Sequence, residues 1–256
     1  MIEIRGLGKS YGETVIIERI SLDITDGAFC TVVGPSGCGK STFLRLLLGQ
    51  EQPSTGSITI GGGRLPPEPG PDRGIVFQRY SVFPHLSVLE NLLLGGEFKA
   101  SPVLGRLFGT QRRALAATAL ELLDHIGLAE AADRYPAQLS GGMQQRLALG
   151  QALLCEPKIL LLDEPFGALD PGVRLDMHEL LLALWQQRGM TVFMVTHDLP
   201  EAFKLGTRLL VFDRSRRDPH APEAYGATIT YDLPLKGDGL GEVPLATIQS
   251  GFRAVS

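Results

Sequence analysis

The chain has 256 residues, 44% of them hydrophobic, and a formal net charge of −4. This suits one large globular domain or a core with a subdomain, and the charge leaves no footprint for nucleic acid. Its longest unbroken apolar run, Leu180 to Trp185, is far short of the ~20 residues of a membrane helix. Cys30, Cys38 and Cys155 form no C-x-x-C pair and have no histidine cluster beside them, which points to a reduced cytoplasmic protein without a structural metal.

The opening "MIEIRGLGKSYG" reads as strand and turn, not as a signal peptide. Short alternating runs follow as strands: "IEIR", "ISLDI" with Ile20, Leu22 and Ile24 on one side, "AFCTVV" and "SITI". Glycine turns such as Gly61–Gly63 separate them, and "PPEPGPD" (Pro66 to Asp72) is a stiff surface loop. From about Leu86 to Leu154 the pattern turns helical. Beyond it, strands and helices alternate: strand Ile159–Leu162, helix Leu175–Gln187, strand Thr191–Thr196, helix Pro200–Leu205, strand Arg208–Phe212. Such alternation predicts a mostly parallel sheet, with the helical block inserted into an α/β core. After Asp213 only "ATITYDLPL" has a clear strand pattern.

"GPSGCGKS", Gly34 to Ser41, matches the G-x-x-x-x-G-K-[ST] phosphate loop in full. A strand leads into it, and a helix with Phe43, Leu44, Leu47 and Leu48 on one face leads out to a Gly49 cap. In such a loop the backbone from Gly34 through Pro35, Ser36, Gly37, Cys38 and Gly39 wraps the phosphates, and its N–H groups point inward. Lys40 reaches the β- and γ-phosphates and the Ser41 hydroxyl ligates Mg²⁺, with Thr42 next in line. Cys38 fits as a space-filling residue better than as a reactive one.

"ILLLDEP" is a buried strand ending in Asp163 and Glu164. Beside a phosphate loop, Asp163 suits the Mg²⁺ shell, and Glu164 suits a general base for the attacking water. His197, in "VTHD", ends another apolar strand; it is either structural or a γ-phosphate contact. Gln78 follows the strand "GIVF" and is either a surface residue or a contact to Mg²⁺ or the water. "LSGGMQQRLALGQALL" places Ser140 as N-cap, with Gly141 and Gly142 exposing N–H groups at the positive end of a helix. Met143, Leu147, Gly150 and Leu154 share one face of that helix, and Gln144, Gln145 and Arg146 lie off it. The helix start is thus a second phosphate cradle.

The phosphate loop, Gln78, "LSGGMQQR", "LLLDEP", "GALD" and "VTHD" occur in the order and spacing of ATP-binding-cassette ATPases. The chain resembles that family from about Ile2 to Phe212. The resemblance implies a P-loop NTPase core with a mostly parallel sheet, an N-terminal antiparallel β subdomain and an inserted helical subdomain. The core would span about 1–85 and 155–212, the helical subdomain about 86–154 and the tail 213–256. It also implies that Tyr11 stacks on adenine, Gln78 lies in the Q-loop, Asp170 in the D-loop, and His197 senses the γ-phosphate. In the family two cassettes pair head to tail, so Ser140, Gly141 and Gly142 would close over the partner's ATP.

A single cassette without membrane spans implies a separate transmembrane permease, with this chain peripheral on the cytoplasmic face of the cell (inner) membrane. The cassette partner would be a second copy or a paired cassette, and a solute-binding protein would act through the permease. "RYSVFPHLSVLENLLLG" resembles importer cassettes, and its apolar residues, Phe83 among them, could cap a permease helix or pack internally. "FGALD" and "THDLPEA" look most like nitrate, sulfonate and taurine importers. The rival functions are an exporter ATPase and a soluble cassette acting on DNA or ribosomes. The latter usually carries long coiled coils or two cassettes, whereas here about sixty residues separate Gln78 from Ser140. A non-hydrolysing ATP binder is disfavoured by the presence of Glu164 and His197. "DRSRRDPHAPEAY", Asp213 to Tyr225, is longer and more charged than expected, either a solvated hairpin tip or an accessory contact.

Overall fold

The computed structural model describes residues 1–77, 82–100, 107–167, 169–216, 220 and 223–235. The chain divides into two compact units, residues 1–70 with 189–256, and residues 71–188.

The first unit holds an antiparallel sheet in the order β2-β1-β4-β5: Thr14–Ile24, Ile2–Tyr11, Thr55–Ile60 and Gly63–Arg64. Strand β1 is much longer than the alternating "IEIR" announces. Its register on β2 shifts three times between Ile4 and Ser10. Gly8 lies so close to β4 that a Cβ there would sit 2.4 Å from Thr55 Oγ1. Bulges and backbone contact of this kind break the period-2 pattern by which a strand is read.

The same unit contains the strands β3 (Phe29–Val33), β8 (Thr191–Val195) and β9 (Arg208–Asp213). Strand β3 pairs in parallel with both, Phe29 opposite Val192 and Cys30 opposite Arg208. All residues of β3 and β8 are buried, which explains their continuous apolar runs. Helix α1 (Lys40–Leu48) places Phe43 against Phe193 and Phe212, with ring centroids 6.1 and 5.2 Å apart. Strand β10 (Thr228–Pro234) runs antiparallel to β9, so Asp213 to Tyr225 connects a hairpin. Its described ends are docked on β2: Arg216 pairs with Glu18 at 2.5 Å and lies over the Tyr225 ring, and Val15 N–H donates to Glu223 O.

The second unit joins β6 (Arg73–Val76) to β7 (Ile159–Asp163) in parallel and carries α2 (Val88–Ala100), α3 (Gly109–His125), α4 (Gly141–Leu154) and α5 (Pro171–Arg188). Helix α2 starts with a reciprocal cap, in which Ser87 N–H donates to Glu90 and Glu90 N–H donates to the Ser87 hydroxyl. Close helix packing uses missing side chains. A Cβ on Gly96 would lie 2.7 Å from Leu115, and one on Gly150 2.8 Å from both Ile126 and Leu92. One expectation fails on α4: Gln145 is buried, not off the packed face.

Asn91 is fully buried on α2. Its amide nitrogen lies 2.9–3.0 Å from the carbonyls of Phe83, Leu86 and Ser87, and its oxygen accepts from Phe83 N–H and Gln151. One side chain thereby fastens the loop before α2 to two helices. Asn91→Ala should lower stability by about 2–3 kcal/mol, because it strands several buried backbone groups at once. Chemical denaturation measures this, and an unchanged midpoint would show that the loop finds other partners.

Candidate functional site

The first unit holds the phosphate loop between β3 and α1. Gly34, Gly37 and Gly39 have φ of 155°, 75° and 92°. At Gly34 the need for glycine is also steric, since a Cβ would lie 2.3 Å from the Phe212 carbonyl oxygen. Gly39 caps α1 without a side-chain hydrogen bond, so no cap side chain occupies the positive end of the helix. Lys40 is only 8% exposed and donates from Nζ to Gly34 O at 2.7 Å and Pro35 O at 2.8 Å. The ammonium is therefore held over its own loop. Ser41 and Thr42 follow, half-buried, in the first helical turn. Cys38 is buried beside the Gly34 backbone, and burial pushes its thiol up, in keeping with a space-filling role.

Tyr11 ends β1 and is 46% exposed. Its hydroxyl donates to Glu51, just beyond the end of α1, so the ring is held beside the helix that carries the loop. His197 lies exposed just beyond β8, in front of Asp198, which caps α6 (Leu199–Leu205) by accepting from Glu201 N–H.

The second unit carries the remaining candidates. Asp163 ends β7 and is half-buried, and Glu164 follows with φ 48°, one of three described non-glycine residues in the left-handed region. Such backbone costs a carboxylate residue energy that ordinary turns avoid, and it concentrates at functional sites. Ser140 caps α4 as expected, accepting from Met143 N–H at 3.3 Å, and stays exposed with Gly141. A Cβ on Gly142 would lie 2.6 Å from Val173 of α5. The start of α4 is thus packed against the start of α5, which the exposed Asp170 precedes. Gln78 lies outside the described residues.

Two participants escaped the sequence. Asn91 was visible only as a polar residue within the apolar "VLENLLL", and Glu51 had no local signal at all.

Among the described residues no three His, Cys, Asp or Glu could hold a metal by themselves, and no helix is long and apolar enough to cross a membrane.

Residues 17–167 match the family pattern described as ABC transporter. The chain is 42% identical over 218 residues to an aliphatic sulfonates import ATP-binding protein of Burkholderia cenocepacia, covering 84% of this chain and 62% of that protein. It is 46% identical over 202 residues to a taurine import ATP-binding protein of Rhizobium johnstonii, covering 78% and 73%. A nitrate import ATP-binding protein of Synechocystis is 41% identical over 214 residues, covering 82% and 77%. The chain thus spans about three-fifths of the length of the sulfonate relative. Among solved structures, a dimeric bacterial ABC transporter cassette superposes with TM-score 0.75 at 32% identity, covering 93% of this chain and all of that one. A post-hydrolysis cassette dimer bound to ADP and Pi gives 0.73 at 30%, with the same coverage. With an antiparallel sheet, parallel strands and a complete phosphate loop in place, the chain belongs to the ABC transporter family.

Proposed function

We propose that the chain is the ATP-binding and ATP-hydrolysing subunit of an importer for a small anion or a nitrogen or sulfur compound. One observation carries this: Lys40 is buried and already aimed across a glycine loop whose helix starts at a glycine cap with no side-chain hydrogen bond. An anion of high charge is the complement of that arrangement. The import role is supported by relatives named for sulfonate, taurine and nitrate import.

Tyr11 stacks the adenine, and the backbone from Gly34 to Gly39, with Lys40, Ser41 and Thr42, holds the phosphates. Mg²⁺ would be held by oxygen donors, the Ser41 hydroxyl and the Asp163 carboxylate, with Gln78 as a further ligand. So few protein ligands fit a cation that keeps waters and shares phosphate oxygens, and it supplies charge neutralisation when bound. Glu164 takes the proton of the attacking water, while His197 and Gln78 respond to the γ-phosphate. Ser140, Gly141, Gly142 and Asp170 act across a cassette dimer, on the ATP held by the partner's loop. Loss of the γ-phosphate then opens the dimer, and the motion passes to a membrane permease served by a solute-binding protein. The chain would work at the cytoplasmic face of the membrane, as one cassette with its helical part at about 86–154.

The dimer assignment has a direct test. In Glu164→Gln, ATP should persist and hold two chains together on size-exclusion chromatography. Adding Ser140→Arg should abolish that dimer but leave monomer affinity for ATP within about twofold, because the monomer's own loop is untouched. Loss of ATP binding by the folded monomer would place Ser140 in its own chain's site instead.

A further inference from the structure

Tyr11 sits within a small charged network that the phosphate site does not need. Glu51, two residues beyond the Gly49 cap of α1, accepts from the Tyr11 hydroxyl. It also faces Lys9 Nζ at 3.5 Å and Arg45 Nη1 at 3.6 Å, with its own side chain only 18% exposed. Lys9 is two residues before Tyr11 on β1. Its ammonium donates to Gln52 O at 2.9 Å and lies 5.0 Å from the Tyr11 ring centroid. One ring face is thus covered by a cation that is itself held by two oxygens. Burial first, and then the hydrogen bond to Glu51, push the Tyr11 phenol up, so it remains a neutral donor.

We infer that Glu51 is a positioning and nucleobase-specificity residue: it clamps Lys9 behind the Tyr11 ring and the Tyr11 hydroxyl beside the end of α1, presenting the opposite ring face as a rigid platform for a purine. This rests on Tyr11 being the base platform. The physics is pre-organisation. An exposed tyrosine swings about χ1 and loses that freedom on stacking, whereas a ring fastened at its hydroxyl and along one face has lost it already. The cation behind the ring also withdraws π-density, favouring an electron-rich purine on the free face. Arg45 and Lys9 together compensate the carboxylate, so Glu51 is held without an uncompensated charge.

The clamp acts on the base alone, and that separates it from the fold and the phosphate loop. Equilibrium binding of ATP and of inorganic tripolyphosphate should be compared for the full chain, Tyr11→Ala, Glu51→Ala and Glu51→Gln. Glu51→Ala should weaken ATP about three- to tenfold, the scale of one immobilised side chain, and leave tripolyphosphate unchanged. Glu51→Gln, which keeps an acceptor for the hydroxyl, should recover part of the loss. In a Tyr11→Ala background, Glu51→Ala should do nothing further. If Tyr11→Ala binds ATP normally, the platform itself is elsewhere. If Tyr11→Ala weakens ATP but Glu51→Ala does not, the platform stands and the clamp is overturned. Equal loss of ATP and tripolyphosphate in Glu51→Ala would mean that Glu51 only supports the loop, which also overturns it.

Discussion

Lys40→Ala is expected to weaken ATP binding by at least about thirtyfold, the scale of stranding one partner of a buried charged contact. Lys40 is not a surface cation that solvent can replace. Its Nζ lies under two loop carbonyls, 2.7 and 2.8 Å away, in a side chain that is almost fully buried. Water entering that space would bring no net charge to a polyphosphate. The substitution also releases Gly34 O and Pro35 O, so thermal unfolding should accompany the binding measurement. A small drop in melting temperature with a large loss of affinity is the expected pair of results. Near-normal affinity for ATP would remove the phosphate-loop assignment.

Glu164→Gln should keep ATP affinity and slow turnover by at least ~10²-fold, since it removes the proton acceptor and leaves the cradle intact. An unchanged steady-state rate would show that another group activates the water. The left-handed backbone of Glu164 adds a second, independent expectation. A non-glycine residue there costs about 1–2 kcal/mol. Glycine removes that cost while adding about 0.5–1 kcal/mol of unfolded-state freedom. Glu164→Gly should therefore be at least as stable as the parent while losing turnover as Glu164→Gln does. A clear fall in melting temperature would mean that contacts of the Glu164 side chain stabilise the fold by more than its left-handed backbone costs.

The site was legible to the degree that its chemistry is local in the chain. A phosphate loop needs glycines, a lysine and a hydroxyl within eight residues, so "GPSGCGKS" announces itself, and its geometry has the expected form. The Ser140 cap was legible for the same reason, because an N-cap depends on residues three apart. Buried strands such as β3, β8 and the Ile159–Leu162 part of β7 were visible as largely apolar runs. Other features depend on what happens to lie opposite. The length of β1 was hidden by Gly6 and Gly8, whose role is set by β2 and β4. Gln145 looked polar and outward, yet α4 is packed on enough sides to bury it.

What the sequence by itself determined was the set of candidate parts: the loop, Asp163 and Glu164 at the end of β7, the capped helix and the alternation of strands and helices around them. Each of these is written in residues near one another in the chain, where backbone preference and spacing dominate. Only the tertiary structure decided how those parts are held. Asn91 became a fastening point because three carbonyls from a preceding loop converge on it. The described ends of the Asp213–Tyr225 connection are docked because β2 offers Glu18 to Arg216 and the Val15 N–H to Glu223. Glu51 reaches Tyr11 across 40 residues because β1 and the end of α1 meet in space. Contacts between distant segments leave no periodic trace, since a carboxylate at Glu51 suits an exposed turn as well as it suits a clamp.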